Sequence, residues 1–243
     1  MLKLAILISG RGSNMAALIT AIEQQNLHCK IVCVIANKQA QGLEIAEAHA
    51  ITTKLIARAK YPSKHAHEIA VLNELEKHQA DWIFLAGYMA VLSGEFVDKV
   101  KGQIINIHPS LLPKFKGLNT HERALESGEV RHGATIHIVT SKLDDGPIIA
   151  QSELSIRKND TPETLASRVL REEHILYPLI LTSLVNKQLE IAESKVIWHQ
   201  MPPSNNNLAS QKNYTSHHST ALTTSHNIYI KTYFEYFFFR SLY

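Results

Sequence analysis

An asparagine and a histidine stand two residues apart in the stretch IINIHPSLLPKFKGLNTH, residues 104–121. Side chains alternate along a β-strand, so Asn106 and His108 are predicted to project from the same face. Pro109 and Pro113 then end the strand and direct the loop, because proline cannot continue a β ladder. An amide can donate to a developing oxyanion, and an imidazole can donate or move a proton. The pair therefore favours a catalytic role over the alternative, a structural strand end.

A second candidate is the stretch SGRGSN, residues 9–14, between the first apolar run and a helical pattern. Its two glycines let the backbone approach a ligand, and the following helix offers unpaired N–H groups to an anion. Met15 stands where a dinucleotide fingerprint has its third glycine, and the Gly-Lys-Ser/Thr of a P-loop is absent. The stretch predicts a single phosphate, with a plain strand-to-helix turn as the alternative.

Two acidic pairs complete the candidates. Asp144 and Asp145 lie in KLDDGP, which is also an ordinary turn composition. An aspartate that reached His108 would orient the imidazole. Glu172 and Glu173 fall within or beside the apolar stripe of a long helical pattern. A carboxylate on that side needs a partner, which either a ligand or an arginine of the protein would supply.

The elements that must position these residues follow a regular alternation. Continuous apolar runs alternate with helical patterns, which predicts an α/β fold with a mainly parallel sheet and helices on both faces. Ligands of such sheets bind at the carboxyl ends of strands, here after Ser9, Ala86 and Ile107. The runs ATIHIV and PIIAQSELSI have no helical pattern between them and predict an antiparallel edge. A long helix follows, with Thr161 as the predicted N-cap and Pro162 as its first residue.

Length and composition are typical of one α/β domain with an appendage. The 25 basic and 22 acidic residues leave a net charge of +3, which gives no reason to expect nucleic acid. The N-terminal apolar run breaks at Gly10 and is predicted to be a core strand, so neither a signal peptide nor a membrane span is expected. Cys29 and Cys33 are too far apart along one predicted strand to bridge, and they are expected to be reduced thiols of a cytoplasmic protein. No spacing typical of a zinc site occurs, so no metal is expected.

The composition changes after residue 203. Residues 204–243 are at first polar and nearly uncharged and then aromatic, and most Phe and Tyr residues of the chain lie there. We predict one domain over residues 1–203 and an atypical C-terminal tail over residues 204–243, partly disordered.

Five stretches, taken in order, resemble the phosphoribosylglycinamide formyltransferase family: SGRGSN, LAGYMAVLS, NIHPSLLPKFKGLNTH, HGATIHIVTSKLDDGPIIAQ and REEHILYP. The resemblance runs from residue 2 to about residue 203. It implies a Rossmann-like formyltransferase fold. It also implies formyl transfer from 10-formyltetrahydrofolate to the amine of N1-(5-phospho-D-ribosyl)glycinamide, a step of cytoplasmic purine (IMP) biosynthesis.

The resemblance assigns roles to the candidates. Asn106, His108 and Asp144 become the catalytic trio: Asn106 and a cationic His108 stabilise the oxyanion formed when the substrate amine attacks, and Asp144 holds His108 and assists proton transfer. The substrate-binding residues implied are Gly12, Ser13 and Asn14 at the phosphate and Glu173 at the glycinamide and ribose end. The folate-binding residues implied are Lys64, Met89, Ala90, Val91, Leu92, Asn106, Thr140, Ser141, Lys142, Leu143 and Asp144.

The family also implies small-molecule partners alone, the ribonucleotide and the formyl-folate, with no nucleic acid and no membrane, in a monomer or weak homodimer. Three positions depart from its pattern. Lys64 and Ala90 stand where arginine is familiar, and Asp145 stands where glycine is common. These departures bear on folate affinity and leave the trio intact.

Three alternatives remain. Methionyl-tRNA formyltransferase shares the Asn, His and Asp pattern, but it carries a C-terminal barrel and a basic tRNA surface that this chain is not expected to provide. A formyltetrahydrofolate hydrolase adds an N-terminal regulatory domain, whereas this chain begins directly at the first predicted strand. A non-catalytic phosphometabolite-binding module is the alternative from a different class, and the retained trio argues against it.

Overall fold

A computed structural model of the chain describes residues 1–100, 103–192, 195–200, 220–223 and 227–230. Strands and helices alternate through its first half, as the apolar pattern predicts. In chain order the elements are β1 (Leu2–Ile8), α1 (Ser13–Gln24), β2 (Cys29–Ala36), α2 (Gly42–Ala48), β3 (Thr53–Leu55), a 3-10 turn (Arg58–Lys60), α3 (Lys64–Lys77), β4 (Trp82–Leu85), α4 (Gly94–Lys99), β5 (Ile104–His108), α5 (Thr120–Glu126), β6 (Arg131–Ile138), β7 (Ile148–Ser155), α6 (Pro162–Val185), β8 (Leu189–Ala192), β9 (Lys195–Trp198), β10 (Thr220–Thr223) and β11 (Asn227–Ile230).

The main sheet has the strand order β10-β11-β7-β6-β5-β4-β1-β2-β3. Strands β3, β2, β1, β4 and β5 are parallel neighbours, and β6 and β7 extend the sheet in antiparallel pairing. The predicted α/β class, with a mainly parallel sheet and an antiparallel edge, is confirmed. The direction of winding reverses between β1 and β4, and in such sheets ligands bind in the crevice at that point, outside the carboxyl ends of the strands.

Helices cover both faces of the sheet, as predicted. Alternate residues of β1 face opposite sides, with Leu4, Ile6 and Ile8 in one apolar cluster and Ala5 and Leu7 in another. The first cluster includes residues of α1, α2 and α6, and the second includes residues of α3 and α4. The two clusters fix the sheet between its helices, so that the carboxyl ends of β1, β4 and β5 emerge at one rim.

Helix α6 begins as predicted. Thr161 is its N-cap and forms a reciprocal capping box with Thr164, and Pro162 occupies the first helical position. Tyr177, farther along this helix, is fully buried, and its hydroxyl contacts the carbonyl oxygens of Leu85 at 3.2 Å and Ile105 at 3.0 Å. Helix α6 is therefore held to both β4 and β5.

Two features beyond the predicted elements occur. Strands β8 and β9 form a separate antiparallel pair that the sequence reading did not include. Strands β10 and β11 come from the predicted tail, and β11 pairs antiparallel with β7. The other residues of the tail lie outside the described residues, so its predicted partial disorder stays a prediction, as does the boundary at residue 203.

The two cysteines both lie on β2, where they are free and buried. Burial raises the pKa of the Cys29 thiol to about 11 and that of the Cys33 thiol to about 12. Both are therefore inert core side chains at neutral pH. Within the ranges that the structure covers, no helix combines the length and apolar character needed to cross a bilayer.

Candidate active site

The residues of the predicted trio lie together at the carboxyl end of β5. His108 Nδ1 lies 3.5 Å from Asp144 Oδ2, and His108 Nε2 lies 2.9 Å from the carbonyl oxygen of Phe115. Both ring nitrogens thus face acceptors, which suits a doubly protonated, cationic imidazole. The Asp144 carboxylate also accepts a hydrogen bond from Gly117 N at 2.9 Å. His108 is buried and the Asp144 side chain is only 9% exposed, so the pair is poorly screened by solvent.

Asn106 is oriented by a residue that sequence reasoning missed. Its Nδ2 lies 3.1 Å from His137 Nε2, across the β5–β6 pairing that places the two residues opposite each other. Burial lowers the pKa of His137, against opposing effects of the Ile138 carbonyl and the Asp144 carboxylate, and its Nδ1 faces the carbonyl oxygen of Ile138 at 3.0 Å. Nδ1–H therefore donates to Ile138, and Nε2 accepts from Asn106. One N–H of the Asn106 amide is fixed, and the other is left for a ligand.

The loop that follows β5 is held by hydrogen bonds to residues of β6 and β7. Thr135 Oγ1 donates to Ser110 O at 2.6 Å and accepts from Leu112 N at 3.0 Å. Gln151 Nε2 donates to Leu112 O and to Thr135 Oγ1, both at 2.9 Å. These neighbours on β6 and β7 hold the proline-containing loop so that Phe115 reaches His108.

The predicted phosphate loop has an open helix terminus. Gly12 is the N-cap of α1 with a φ of 78°, and no side chain caps the helix or adds an acid to its first turn. The N–H groups of the first turn are therefore available to an anion. Glycine is required at position 12, because a Cβ there would lie 2.7 Å from Gly42 Cα. Ser13 is half-buried as the first residue of the helix.

A buried carboxylate lies beside this loop. Glu173 on α6 is 6% exposed, and its Oε2 accepts a hydrogen bond of 2.7 Å from Asn14 Nδ2. Burial raises the pKa of Glu173 to about 7, against a smaller opposing effect of that hydrogen bond. Asn14 Oδ1 is buried with no protein partner among the described residues. The pair thus offers an orphan acceptor and a carboxyl group next to the phosphate site. Glu172 instead accepts a hydrogen bond from Ser152 Oγ at 2.5 Å.

One serine ties the ends of three parallel strands together. Ser9 Oγ donates to Asn37 Oδ1 at 2.7 Å and accepts from Met89 N at 2.8 Å, and Ser9 N donates to Gly87 O at 3.1 Å. The segments that leave β1, β2 and β4 are therefore joined at the rim where the trio lies.

The two predicted folate-binding segments are adjacent. A Cβ built on Gly94, just after the segment 89–92, would lie 3.3 Å from Ser141 Cβ in the segment 140–144. Met89, Val91 and Leu143 are exposed, at 67%, 55% and 51%, so both segments present apolar side chains to solvent. Thr140 Oγ1 makes a local turn with Lys142. A cavity of about 310 Å³ opens beside the first segment and is lined in part by Lys64, Ala90 and Leu92.

Comparison with known proteins decides the family. The formyl transferase family pattern matches residues 2–181. Phosphoribosylglycinamide formyltransferase from Escherichia coli is 36% identical over 206 residues, which are 83% of this chain and 97% of that protein. The chain belongs to the phosphoribosylglycinamide formyltransferase family.

Other relatives agree. The solved phosphoribosylglycinamide formyltransferase from Coxiella burnetii has a TM-score of 0.77 and 44% identity, over 81% of this chain and 93% of that one. The human trifunctional purine biosynthetic protein adenosine-3 is 41% identical over 198 residues, which are 81% of this chain and 20% of that protein.

The three positions at which this phosphoribosylglycinamide formyltransferase family member departs from the implied pattern differ in their surroundings. The Asp145 carboxylate is paired with Lys116 Nζ, which lowers the pKa of Asp145. Lys64 lies 3.8 Å from Glu68 across one turn of α3. Ala90 lines the cavity and brings no charge to it.

Sequence reasoning missed Ser9, His137, Thr135 and Gln151 as parts of the site. The pairing of β5 with β6, and of β6 with β7, positions the last three, whereas Ser9 lies at the predicted end of the first strand. Across the described ranges, no group of three or more His, Cys, Asp and Glu side chains is arranged to hold a metal ion.

Proposed function

We propose that this family member transfers the formyl group of 10-formyltetrahydrofolate to the amine of N1-(5-phospho-D-ribosyl)glycinamide. The observation that carries the proposal is the convergence of three groups at one sheet rim. An amide with a free N–H, a histidine flanked by two acceptors and a nearly buried aspartate meet beside an uncapped helix terminus. Such an arrangement supplies an oxyanion site, a proton path and a phosphate anchor.

The chemistry is direct attack, with no covalent enzyme intermediate. The amine nitrogen attacks the formyl carbon, and the carbonyl π pair moves to the oxygen. The second N–H of Asn106 donates to this oxygen, and the cationic His108 stabilises its charge. We propose that the oxyanion replaces the Phe115 carbonyl as the acceptor at His108 Nε2.

The tetrahedral intermediate then collapses. The bond from carbon to the folate nitrogen breaks, and the proton lost by the amine moves to that nitrogen through water held by Asp144. Asp144 is suited to this role because it is nearly buried and already paired with His108. The products are the formylated ribonucleotide and tetrahydrofolate.

The substrates are held on two sides of the trio. The ribonucleotide phosphate binds the first-turn N–H groups at Gly12, Ser13 and Asn14, and its glycinamide and ribose end contacts Glu173. The folate lies against the exposed apolar side chains of segments 89–92 and 140–144, with Lys64 near its outer part. Apolar groups exposed at a rim between loops fit a flat ring system.

The proposal also covers the setting. The protein acts on small molecules in the cytoplasm, in purine biosynthesis, as a monomer or weak homodimer. The positive-charge margin of +3 supports a small-molecule role over a nucleic-acid role.

The test is tetrahydrofolate release from 10-formyltetrahydrofolate by the purified full chain, with and without the ribonucleotide. Turnover that requires the ribonucleotide supports the transferase. Turnover without it would indicate a hydrolase, and ribonucleotide binding without turnover would indicate a non-catalytic binding module. The matched control is glycinamide without ribose phosphate, which should not turn over at comparable concentration because it cannot use the phosphate loop.

A further inference from the structure

The cavity beside segment 89–92 has an uneven charge. Its lining includes two cations, Arg58 and Lys64, and one carboxylate, Glu68. Glu68 is 5% exposed, and its two oxygens accept hydrogen bonds from Ser93 N at 2.8 Å and Ser93 Oγ at 2.5 Å. Lys64 lies 3.8 Å from the same carboxylate. The negative charge of the cavity is thus already satisfied by the protein.

Arg58 is the cation that lacks such a partner. In the part of the chain that the structure describes, no carboxylate lies within salt-bridge distance of its guanidinium. Its Nη1 donates to the carbonyl oxygen of Tyr61 at 3.0 Å, which leaves the other N–H groups of the fork free. A half-buried guanidinium without an anion favours an anionic ligand.

Backbone and side-chain contacts hold Arg58 at the wall of the cavity. The residue begins the 3-10 turn after β3, and its N–H donates to Asn37 O at 2.8 Å, just beyond β2. Tyr61, which accepts from the guanidinium, packs edge-on against His67 with ring centroids 5.5 Å apart. His67 in turn contacts Ile56 O at 2.9 Å. The side chain is therefore held at a fixed place on the wall.

We propose that Arg58 binds a carboxylate of the glutamate tail of the folate co-substrate, an inference that rests on the proposed function. The cavity adjoins the segment against which the folate lies, and the glutamate tail is the anionic part of that molecule. A guanidinium fork matches a carboxylate in two parallel hydrogen bonds. The cavity volume of about 310 Å³ suits part of a ligand and is small for a whole folate.

This assignment explains the departures at positions 64 and 90. The resemblance implies arginine at both positions, whereas this chain has Lys64, which lies 3.8 Å from Glu68, and the uncharged Ala90. Arg58 supplies the missing guanidinium from a different element, the 3-10 turn instead of α3 or the loop after β4. The positive charge of the subsite is therefore kept although its source has moved.

The test compares two ligands that differ only in the tail. Tetrahydrofolate and tetrahydropteroate, which lacks the glutamate, are titrated calorimetrically into wild type, Arg58→Gln and Lys60→Gln. We expect Arg58→Gln to weaken tetrahydrofolate binding about tenfold, the effect of losing one charge-assisted interaction, and to leave tetrahydropteroate binding unchanged. Lys60 belongs to the same turn, is exposed and lies outside the cavity lining, so Lys60→Gln should change neither ligand. Arg58→Lys, which keeps the charge but not the fork, should recover part of the affinity.

Turnover gives an independent reading. Arg58→Gln should raise the KM for 10-formyltetrahydrofolate by the same factor, with kcat and the KM for the ribonucleotide unchanged. Equal weakening of both titrated ligands, or no weakening of either, would overturn the assignment. Arg58-dependent tetrahydrofolate binding in a protein without formyl transfer would overturn the proposed function alone.

Discussion

Replacing Glu173 with glutamine should make the protein more stable at high pH and weaken its ribonucleotide binding. Glu173 is almost completely buried, and burial raises its pKa from the ordinary value of 4.5 to about 7. Glutamine has nearly the same shape and keeps an oxygen that can accept from Asn14 Nδ2. The substitution therefore removes the ionisation and leaves the packing.

The sign and size follow from linkage. Between pH 4.5 and pH 7 the folded protein holds a proton on Glu173 that the unfolded chain has released, so folding stability falls as the pH rises. Each unit of pKa difference corresponds to about 1.4 kcal/mol, so the full shift amounts to about 3 kcal/mol. The destabilising contribution of Glu173 is absent below pH 4.5 and complete above pH 7. Glu173→Gln should thus gain about 3 kcal/mol over wild type on going from pH 4.5 to pH 8.

Urea unfolding at several pH values from 4.5 to 8 measures this difference. The comparison with wild type is necessary because His132 acts in the opposite direction: burial lowers its pKa to about 4, so its contribution rises with pH. Glu172→Gln, which removes a carboxylate from the next position of α6, is the matched control. The two variants are compared by the slope of their free energy of unfolding against pH.

The reasoning would be refuted if the free energy of unfolding changed with pH by the same slope in wild type, Glu173→Gln and Glu172→Gln. The KM for the ribonucleotide provides the functional half of the test, since Glu173 is proposed to contact the glycinamide and ribose end. A stabilised variant with a raised KM would show that this carboxylate costs stability in return for function.

Other predictions concern the trio, the phosphate loop and the tail. Asp144→Asn should lower kcat about a hundredfold or more with ribonucleotide binding nearly unchanged; Asp144 has a φ of 46°, which asparagine also tolerates, so near-normal turnover would exclude the proton-transfer role. Gly12→Ala should lower the urea midpoint and weaken ribonucleotide binding, because the new Cβ would meet Gly42 at 2.7 Å on a backbone with positive φ; unchanged values of both would contradict the close approach. Deleting residues 204–243 should preserve kcat and KM, and loss of folding on deletion would show that the tail belongs to the core.

Local spacing predicted those parts of the site whose geometry is set by residues close together in sequence. Asn106 and His108 project together because they lie two apart on one strand, and the proline after them marks the strand end. The N-cap at Thr161 and the glycine at position 12 follow from backbone rules that act within a few residues. The apolar stripe of the helix indicated that Glu172 or Glu173 needs a partner, and the resemblance then selected Glu173.

Pairing across the sheet was not readable in the same way. Asn106 meets His137 only because β5 and β6 pair in one of several possible registers, and a shift by one residue would turn every side chain of a strand to the other face. The approach of Asp144 to His108 likewise depends on the turn between β6 and β7. The resemblance supplied that contact, and the spacing alone did not.

Elements with weak patterns were also missed. Strands β8 and β9 are four residues each, and the sequence between them has no Asn-Gly or Asp-Gly turn signal. Arg58 lies on a single 3-10 turn with an unremarkable composition. Its position on a cavity wall depends on α3 and the loop after β4, which are distant in sequence.

The hydrogen bond between Asn14 and Glu173 joins residues that are 159 positions apart. During synthesis, the phosphate loop emerges early, whereas its carboxylate neighbour emerges only when most of the domain has been made. Helix α6 also carries the Tyr177 hydroxyl that ties β4 to β5. The ribonucleotide site and the centre of the sheet are therefore completed by the same late helix, and a nascent chain stopped before residue 173 holds neither in finished form. Such long-range closure favours slow folding, and it lets ribonucleotide binding report the completed domain.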